Sequence, residues 1–379
     1  MEYTEAMTMT ELLIQRYLRG GKTLADLKTE YGCKSRPHGE FPNLFTVKYD
    51  QIESPMGEAI VQECRGIILD ADDNWAVVAR PFDKFFNHGE GHAADIEWES
   101  AEVFEKLDGS LIIMYHYLGM WRIASSGTPD AAGVMQIGGL SFAELFMQTF
   151  LAQGLTLPDE EDHERTFMWE LTSQFNRIVV RHTEPSVTLL GVRRTLCGTD
   201  HELSGWVDSY PVAKSYPLTD LASIIETMED MDPMEQEGYI VRDASGARIK
   251  VKSPAYVAIH HLKDGMGPRR FLEIARTGET SEFLVHFPEY EEEYTKYKTL
   301  VDDLISSLEA LYETVKDIED QKTFALAVKD SPGCGTLFQM RRSDAEGGDL
   351  TVARSVASMG IKALERLLGL KIAKVKKEK

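Results

Sequence analysis

The sequence predicts an α+β fold with an all-α region behind it. Three observations carry this. Short runs of strand-like, period-two hydrophobic alternation crowd residues 43–252. Helical patterns lie between some of those runs, a mix that argues antiparallel sheets with flanking helices. Beyond about Tyr256 the strand patterns stop and apolar residues recur at helical spacing. The 379-residue chain therefore divides into a mixed domain over 1–260 and a helical domain over 261–379, a common division at this length.

The elements follow in order. Met9 to Leu18 reads as a short amphipathic helix through Leu12, Leu13, Tyr17 and Leu18, ended by Gly20-Gly21. Leu24 to Tyr31 is a second. Leu44 to Tyr49 is a strand. Arg65 to Asp70 and Trp75 to Arg80 are two more, joined by the turn at Ala71-Asp72-Asp73-Asn74. Ala101 to Phe104 and Leu111 to Tyr115 flank Asp108-Gly109. Gly tolerates the positive φ of a tight turn, so this pattern predicts a hairpin. Met120 to Gly127 is a strand and Ser141 to Gly154 a helix. Thr166 to Leu171 and Ser186 to Val192 are strands, and Leu218 to Met228 is helical. Glu237 to Arg242 and Ala247 to Lys252 predict a second hairpin around Ser245-Gly246. In the helical region Arg270 to Ala275, Tyr297 to Ile318 and Val352 to Leu370 carry the pattern. Lys371 to Lys379 is a basic tail, expected to fray.

Composition narrows the function. With 43% hydrophobic residues and 14 prolines, the chain can bury a sizeable core. Its first residues carry Glu2, Glu5 and Glu11 and lack a secretory pattern, and no apolar run is long enough to cross a bilayer. Cys33, Cys64, Cys197 and Cys334 form no Cys-x-x-Cys pair, so reduced thiols in a cytoplasmic protein are expected, without a zinc site. The formal net charge of −21 works against non-specific binding to nucleic acid. Charge is screened beyond roughly 8 Å at physiological salt, so a nucleic-acid site here must be a local cationic groove.

Several motifs fall away. Gly20-Gly21-Lys22-Thr23 resembles the end of a P-loop, but Arg16 stands where the first glycine belongs, and a helix precedes it instead of a strand. His88-Gly89-Glu90-Gly91-His92 has metal-like spacing, yet its glycines argue for a loop. His260-His261 are helix neighbours that point apart.

Other residues matter as a set. Lys250 and Lys252 are two apart on a strand and share a face, either a solvated edge or a pair of cations aimed at a phosphate. Glu170 interrupts an apolar strand and Glu237 opens another. Lys106 sits two residues before Asp108-Gly109. A lysine nucleophile has a pKa of about 10.4 in water and is almost wholly protonated at neutral pH. Nearby ammonium groups would lower that value and would also stabilise charge growing on a phosphate under attack. The two glutamates could hold a sugar hydroxyl or Mg²⁺. Attack on the α-phosphate of a nucleotide needs such a set.

Lys106-Leu107-Asp108-Gly109-Ser110 resembles the Lys-x-Asp-Gly motif of the covalent nucleotidyltransferase superfamily, which holds DNA ligases, RNA ligases and capping enzymes. Glu237-Gly238-Tyr239-Ile240-Val241 and Ile249-Lys250-Val251-Lys252 resemble two later motifs, in the expected order. Glu63-Cys64-Arg65-Gly66-Ile67, the run Arg80 to Asn87, Asn176-Arg177-Ile178-Val179 and Lys252-Ser253 with Tyr256 are similar to the RNA ligase 1 family founded by the T-even phage enzyme. The likeness spans roughly Phe45 to His260.

The resemblance implies an ATP-grasp-like nucleotidyltransferase (adenylylation) domain and an ATP-dependent RNA ligase. Lys106 would be adenylylated, and Glu170 would bind the ribose. Glu237 would serve the metal and the reacting phosphate, with Asp108 and Glu170 as further metal carboxylates. Lys250 and Lys252 would contact the α-phosphate, and Arg65 and Lys84 the outer phosphates. Phe86, Gly109 and Tyr256 would shape the nucleotide pocket. ATP is the implied co-substrate, Mg²⁺ the metal, with Mn²⁺ as an alternative. RNA with 5′-phosphate and 3′-hydroxyl ends, such as a nicked tRNA, is the implied partner, and the helical domain would select it. A monomer acting in the cytoplasm, the host's if phage-encoded, completes the expectation. The chain departs from the founder at Ser126, where a lysine is missing, and at Val47, which replaces a tyrosine. The rival readings are a DNA ligase or GTP-using capping enzyme, a non-catalytic nucleotide- or RNA-binding module, and an acidic α+β scaffold.

Overall fold

The computed structural model describes residues 11–133, 139–176, 179–257 and 267–370. By its internal contacts the chain divides into two units, Met1–Asp50 with Ser54–His260, and Gln51–Glu53 with His261–Lys379.

The first unit is built on three sheets. The first runs β1 (Lys34–Pro37), β2 (Leu44–Lys48), β3 (Arg65–Asp70) and β4 (Ala76–Ala79), all antiparallel. Its alternation is read in its packing. Val47, Ile67 and Leu69 face Ile14, Leu27 and Val61 from helices α1 (Leu13–Arg19), α2 (Leu24–Tyr31) and α3 (Ala59–Glu63). Leu44, Ile68 and Ala79 face the other way, onto Ile113, Tyr115 and Ala124.

Those last residues belong to the second sheet, which orders β8 (Met120–Ser125), β7 (Ser110–Tyr117), β9 (Arg165–Thr172), β10 (Ser186–Arg194) and β11 (Asp200–His201). Helix α4 (Phe142–Ala152) packs Phe146 and Phe150 edge-on to the buried Trp169 of β9. The third sheet orders β12 (Ser215–Tyr216), β6 (Glu102–Lys106), β13 (Gly238–Arg242), β14 (Arg248–Lys252) and β5 (Phe86–Asn87). Ile224 and Met228 of helix α5 (Leu221–Glu229) cluster with Val103, Val241 and Ile249 of this sheet. The β13–β14 hairpin forms as expected, while β14 pairs with β5 in parallel.

The hairpin expected at Asp108-Gly109 does not form. β6 pairs with β12 and β13 in the third sheet, whereas β7 pairs with β8 and β9 in the second. Neither Asp108 nor Gly109 has the positive φ that a tight primed turn requires. Asp108 Oδ2 instead accepts from the amides of Val179 and Val180, at 2.9 and 2.8 Å. A Cβ at Gly109 would collide with the Leu171 carbonyl, so glycine lets the chain cross against β9. Residues 106–110 thus carry the chain from one sheet to the next.

Among its described residues the second unit carries helices and no strand. It comprises α6 (Pro268–Thr277), α7 (Thr280–His286), α8 (Glu291–Val315), α9 (Gln321–Val328), α10 (Cys334–Ala345), α11 (Val352–Ser358) and α12 (Ile361–Leu367). Tyr294, Val301, Leu308, Tyr312 and Val315 form the buried stripe of α8, facing a core that includes Phe271, Phe324, Leu337 and Val356. The pattern over Val352 to Leu370 is two helices, because the chain leaves helical geometry at Met359 and Gly360 caps a new start. The first helix covers Leu13–Arg19, and Met9 lies outside the described residues, as do His260, His261 and the Lys371–Lys379 tail. Among the described residues no helix is long and apolar enough to cross a membrane.

Candidate active site

The centre of the site is a carboxylate gripped by two lysines. β6 ends at Lys106, whose register partner in β13 is Gly238; on its other side Gly238 pairs with Lys252 of β14. Glu237, immediately before this glycine, is 3% exposed. Its Oε2 accepts from Lys106 Nζ at 2.5 Å, and its Oε1 lies 3.4 Å from Lys252 Nζ. Gly238 has a φ of +148°, and a Cβ there would strike the Val251 carbonyl. Glycine therefore allows the strands to close around the carboxylate.

Lys106, Gly109, Glu170, Arg65 and Lys250 line one cavity of about 250 Å³, whose apolar wall includes Phe104, Leu111 and Ile240. Lys250 is pushed well below the ordinary lysine range, first by burial and then by the charges of Lys84, Arg65, Lys106 and Lys252. The crowding of cations that the sequence suggested thus acts on Lys250, while Lys106 and Lys252 share Glu237. Arg65 and Lys250 both lie over the ring of Phe85, at 4.9 and 5.1 Å.

Glu170 faces the cavity from β9. Burial pushes its carboxyl up to about 8, helped by Glu237 and opposed by Lys106, the Gly109 amide and Arg65. In the free protein its proton is therefore held across the neutral range. The folded state keeps a proton that the unfolded chain gives up near pH 4.5, so this stabilisation is full below that value. It is lost as pH rises through about 8. Glu170→Gln, which cannot ionise, is expected to gain stability over the wild type by a few kcal/mol as pH rises from 5.5 to 8.5. Urea melts of both proteins without nucleotide or metal measure it; a constant difference between the two pH values would contradict it.

The remaining sequence candidates are placed as follows. Lys84 Nζ lies over the rings of Tyr49 and Phe86, at 5.2 and 5.1 Å, and lines an adjoining pocket with Phe86 and His92. Tyr256 is buried, with Lys252 Nζ 6.0 Å from its ring. Asp108, 3% exposed, is turned to the amides of Val179 and Val180 and anchors that loop. The sequence pointed to Phe86, which lines the adjoining pocket, while Phe82, Phe85 and Phe104 line the main cavity.

Among the described residues no three His, Cys, Asp or Glu side chains gather as a metal cluster. Mg²⁺ commonly takes one or two carboxylates, waters and substrate phosphates. Glu237 and Glu170 supply two such carboxyl groups, Glu170 once a bound cation has displaced its proton.

The fold and the cleft define an α+β protein whose sheets hold a cation-rich pocket suited to a phosphorylated ligand. A family model described as RNA ligase matches residues 63–256, just over half the chain, and the chain belongs to that family. It is 30% identical over 298 residues to a baculovirus protein named as a polynucleotide kinase/RNA ligase, from Autographa californica nuclear polyhedrosis virus. That match covers 73% of this chain and 42% of the viral protein, so the chain spans about two fifths of that relative. It is 25% identical over 335 residues to an RNA ligase of Rhodothermus phage RM378, covering 71% of this chain and 75% of the phage protein. An archaeal ATP-dependent RNA ligase structure aligns over 88% of this chain and 98% of its own, at 14% identity and a TM-score of 0.47.

Proposed function

We propose that the chain is an ATP-dependent RNA ligase that joins a 5′-phosphate to a 3′-hydroxyl through a lysyl-AMP intermediate on Lys106. The observation that carries this reading is the Lys106–Glu237–Lys252 group, with Lys106 on the cavity that Lys250 and Arg65 also line.

Lys106 Nζ must lose a proton before it attacks. Glu237 Oε2, 2.5 Å away, is the oxygen in contact with it. Attack on the α-phosphorus of ATP forms a P–N bond and breaks the bond to the bridging oxygen, and pyrophosphate leaves with the electron pair. Lys250 and Lys252 carry the charge growing on the α-phosphate, while Arg65 and Lys84 hold the outer phosphates. Glu170 receives the ribose, and Phe86, Gly109 and Tyr256 bound the nucleotide. An RNA 5′-phosphate oxygen then takes AMP from Lys106, breaking the P–N bond. Last, a 3′-hydroxyl oxygen attacks the RNA phosphorus and AMP departs. Glu170 and Glu237 would hold Mg²⁺, or Mn²⁺ in its place, which when bound neutralises phosphate charge. The helical unit would select the RNA, a nicked tRNA under repair in the cytoplasm being the substrate we favour.

The test is direct. The protein is incubated with α-labelled ATP and Mg²⁺, denatured and examined for acid-labile label. Labelled protein that passes AMP to 5′-phosphorylated RNA is expected. No label from ATP, or label from GTP in its place, overturns the reading.

A further inference from the structure

Lys48 is a half-buried cation that the preceding scheme does not use. It closes β2 opposite Arg65 of β3, and directly opposed residues of an antiparallel pair project to the same side. Its Nζ donates to Ser126 Oγ at 3.0 Å. Among the described residues it forms no ion pair, although the chain carries 62 acidic residues against 41 lysines and arginines. Neighbouring Lys34, by contrast, is paired with Asp50 at 2.7 Å. Burial lowers the pKa of Lys48, and the charges of Arg65, Lys34 and Arg36 press the same way. Arg65 also has a buried Nη1 without a hydrogen-bond partner. Gly66, with a φ of +94°, brings β3 so close to Ser126 that a Cβ there would strike the Ser126 backbone.

Two pairs among these cations differ in how they are satisfied. Lys106 and Lys252 share a carboxylate. Lys48 and Arg65 lie together with polar hydrogens directed at no anion of their own, and Arg65 opens onto the nucleotide cavity. Buried cations are satisfied by anions, and a polyphosphate supplies several at once. We propose that Lys48, braced by Ser126, joins Arg65 in a subsite for the outer phosphates of the nucleoside triphosphate. The inference rests on the ligase reading and adds a residue to it. Lys48 then acts in the one step that handles a pyrophosphate group, and sealing from an activated RNA bypasses it.

Lys48→Met keeps the stem and removes the charge. With the full chain, lysyl-AMP formation is expected to need roughly ten- to a hundred-fold more ATP. Sealing of chemically pre-adenylylated RNA should stay within about twofold of wild type. Lys48→Met/Ser126→Lys, which returns a cation to the same spot, should recover ATP-dependent adenylylation. An unchanged ATP requirement in Lys48→Met overturns the inference. So does an equal loss in both assays, the mark of a structural role, or a double variant no better than the single one. A wild type that takes no label from ATP fails the ligase reading itself; a labelled wild type beside an unaffected Lys48→Met fails this inference alone.

Discussion

Lys106→Ala is expected to lose ATP-derived label by on the order of 10⁴-fold or more, because it removes the atom to which AMP is joined in the proposed reaction. The competing nucleophile is Lys250, whose depressed pKa makes it the readier amine. The two are separable. Lys106→Arg keeps a cation against Glu237 yet offers no nucleophilic amine, so it should fail as completely as alanine. Mass mapping of the wild-type adduct should find AMP on Lys106. An adduct on Lys250, or label surviving in either Lys106 variant, would reassign the nucleophile. Glu237 keeps Lys252 in both variants, so near-native melting temperatures are expected.

Lys250→Met should do two opposite things. Transfer should fall by about 10²–10³-fold, as when one charge-stabilising donor is removed from a reacting centre. The free protein should nonetheless melt about 2–5 °C higher. Lys250 is held below its ordinary range by burial and by four neighbouring cations, so protonating it in the folded state is unfavourable. The unfolded chain binds this proton more readily, and wild-type stability therefore rises with pH over the interval below 10.5. Met at 250 should flatten that rise. Thermal melts at pH 7 and 9.5, beside labelling assays, measure both effects. A less stable Lys250→Met would mean that the lysine supports the fold instead of straining it.

What the sequence made legible follows from how local each feature is. β3 and β9 are buried on both faces and show as short apolar runs, and α2 spans Leu24–Tyr31 as expected. The hairpin at Asp108-Gly109 was misread because turn chemistry is local while sheet membership is not. The amides of Val179 and Val180, more than 70 residues on, decide where Asp108 points. The site was legible through its ordered motifs, not through any single residue. Lys250 and Lys252 share a face by strand geometry alone. Phe85 on the cavity and Lys48 beside Arg65 carried no signal in the sequence, since their neighbours are set only when the sheets assemble.

The carboxylate that gathers Lys106 and Lys252 has a consequence for how the protein is made. Lys106 and Glu237 are 131 residues apart. At about 5–20 residues per second of synthesis, a nascent chain carries Lys106 for on the order of ten seconds before Glu237 exists. Lys250 and Lys252 come later still. The long-range pairing of β6 with β13, and of β13 with β14, must close before the lysine has its proton acceptor or its cationic neighbours. On the proposed reading, a chain halted before residue 237 holds Lys106 without Glu237, Lys250 or Lys252, and only a completed first unit would commit ATP.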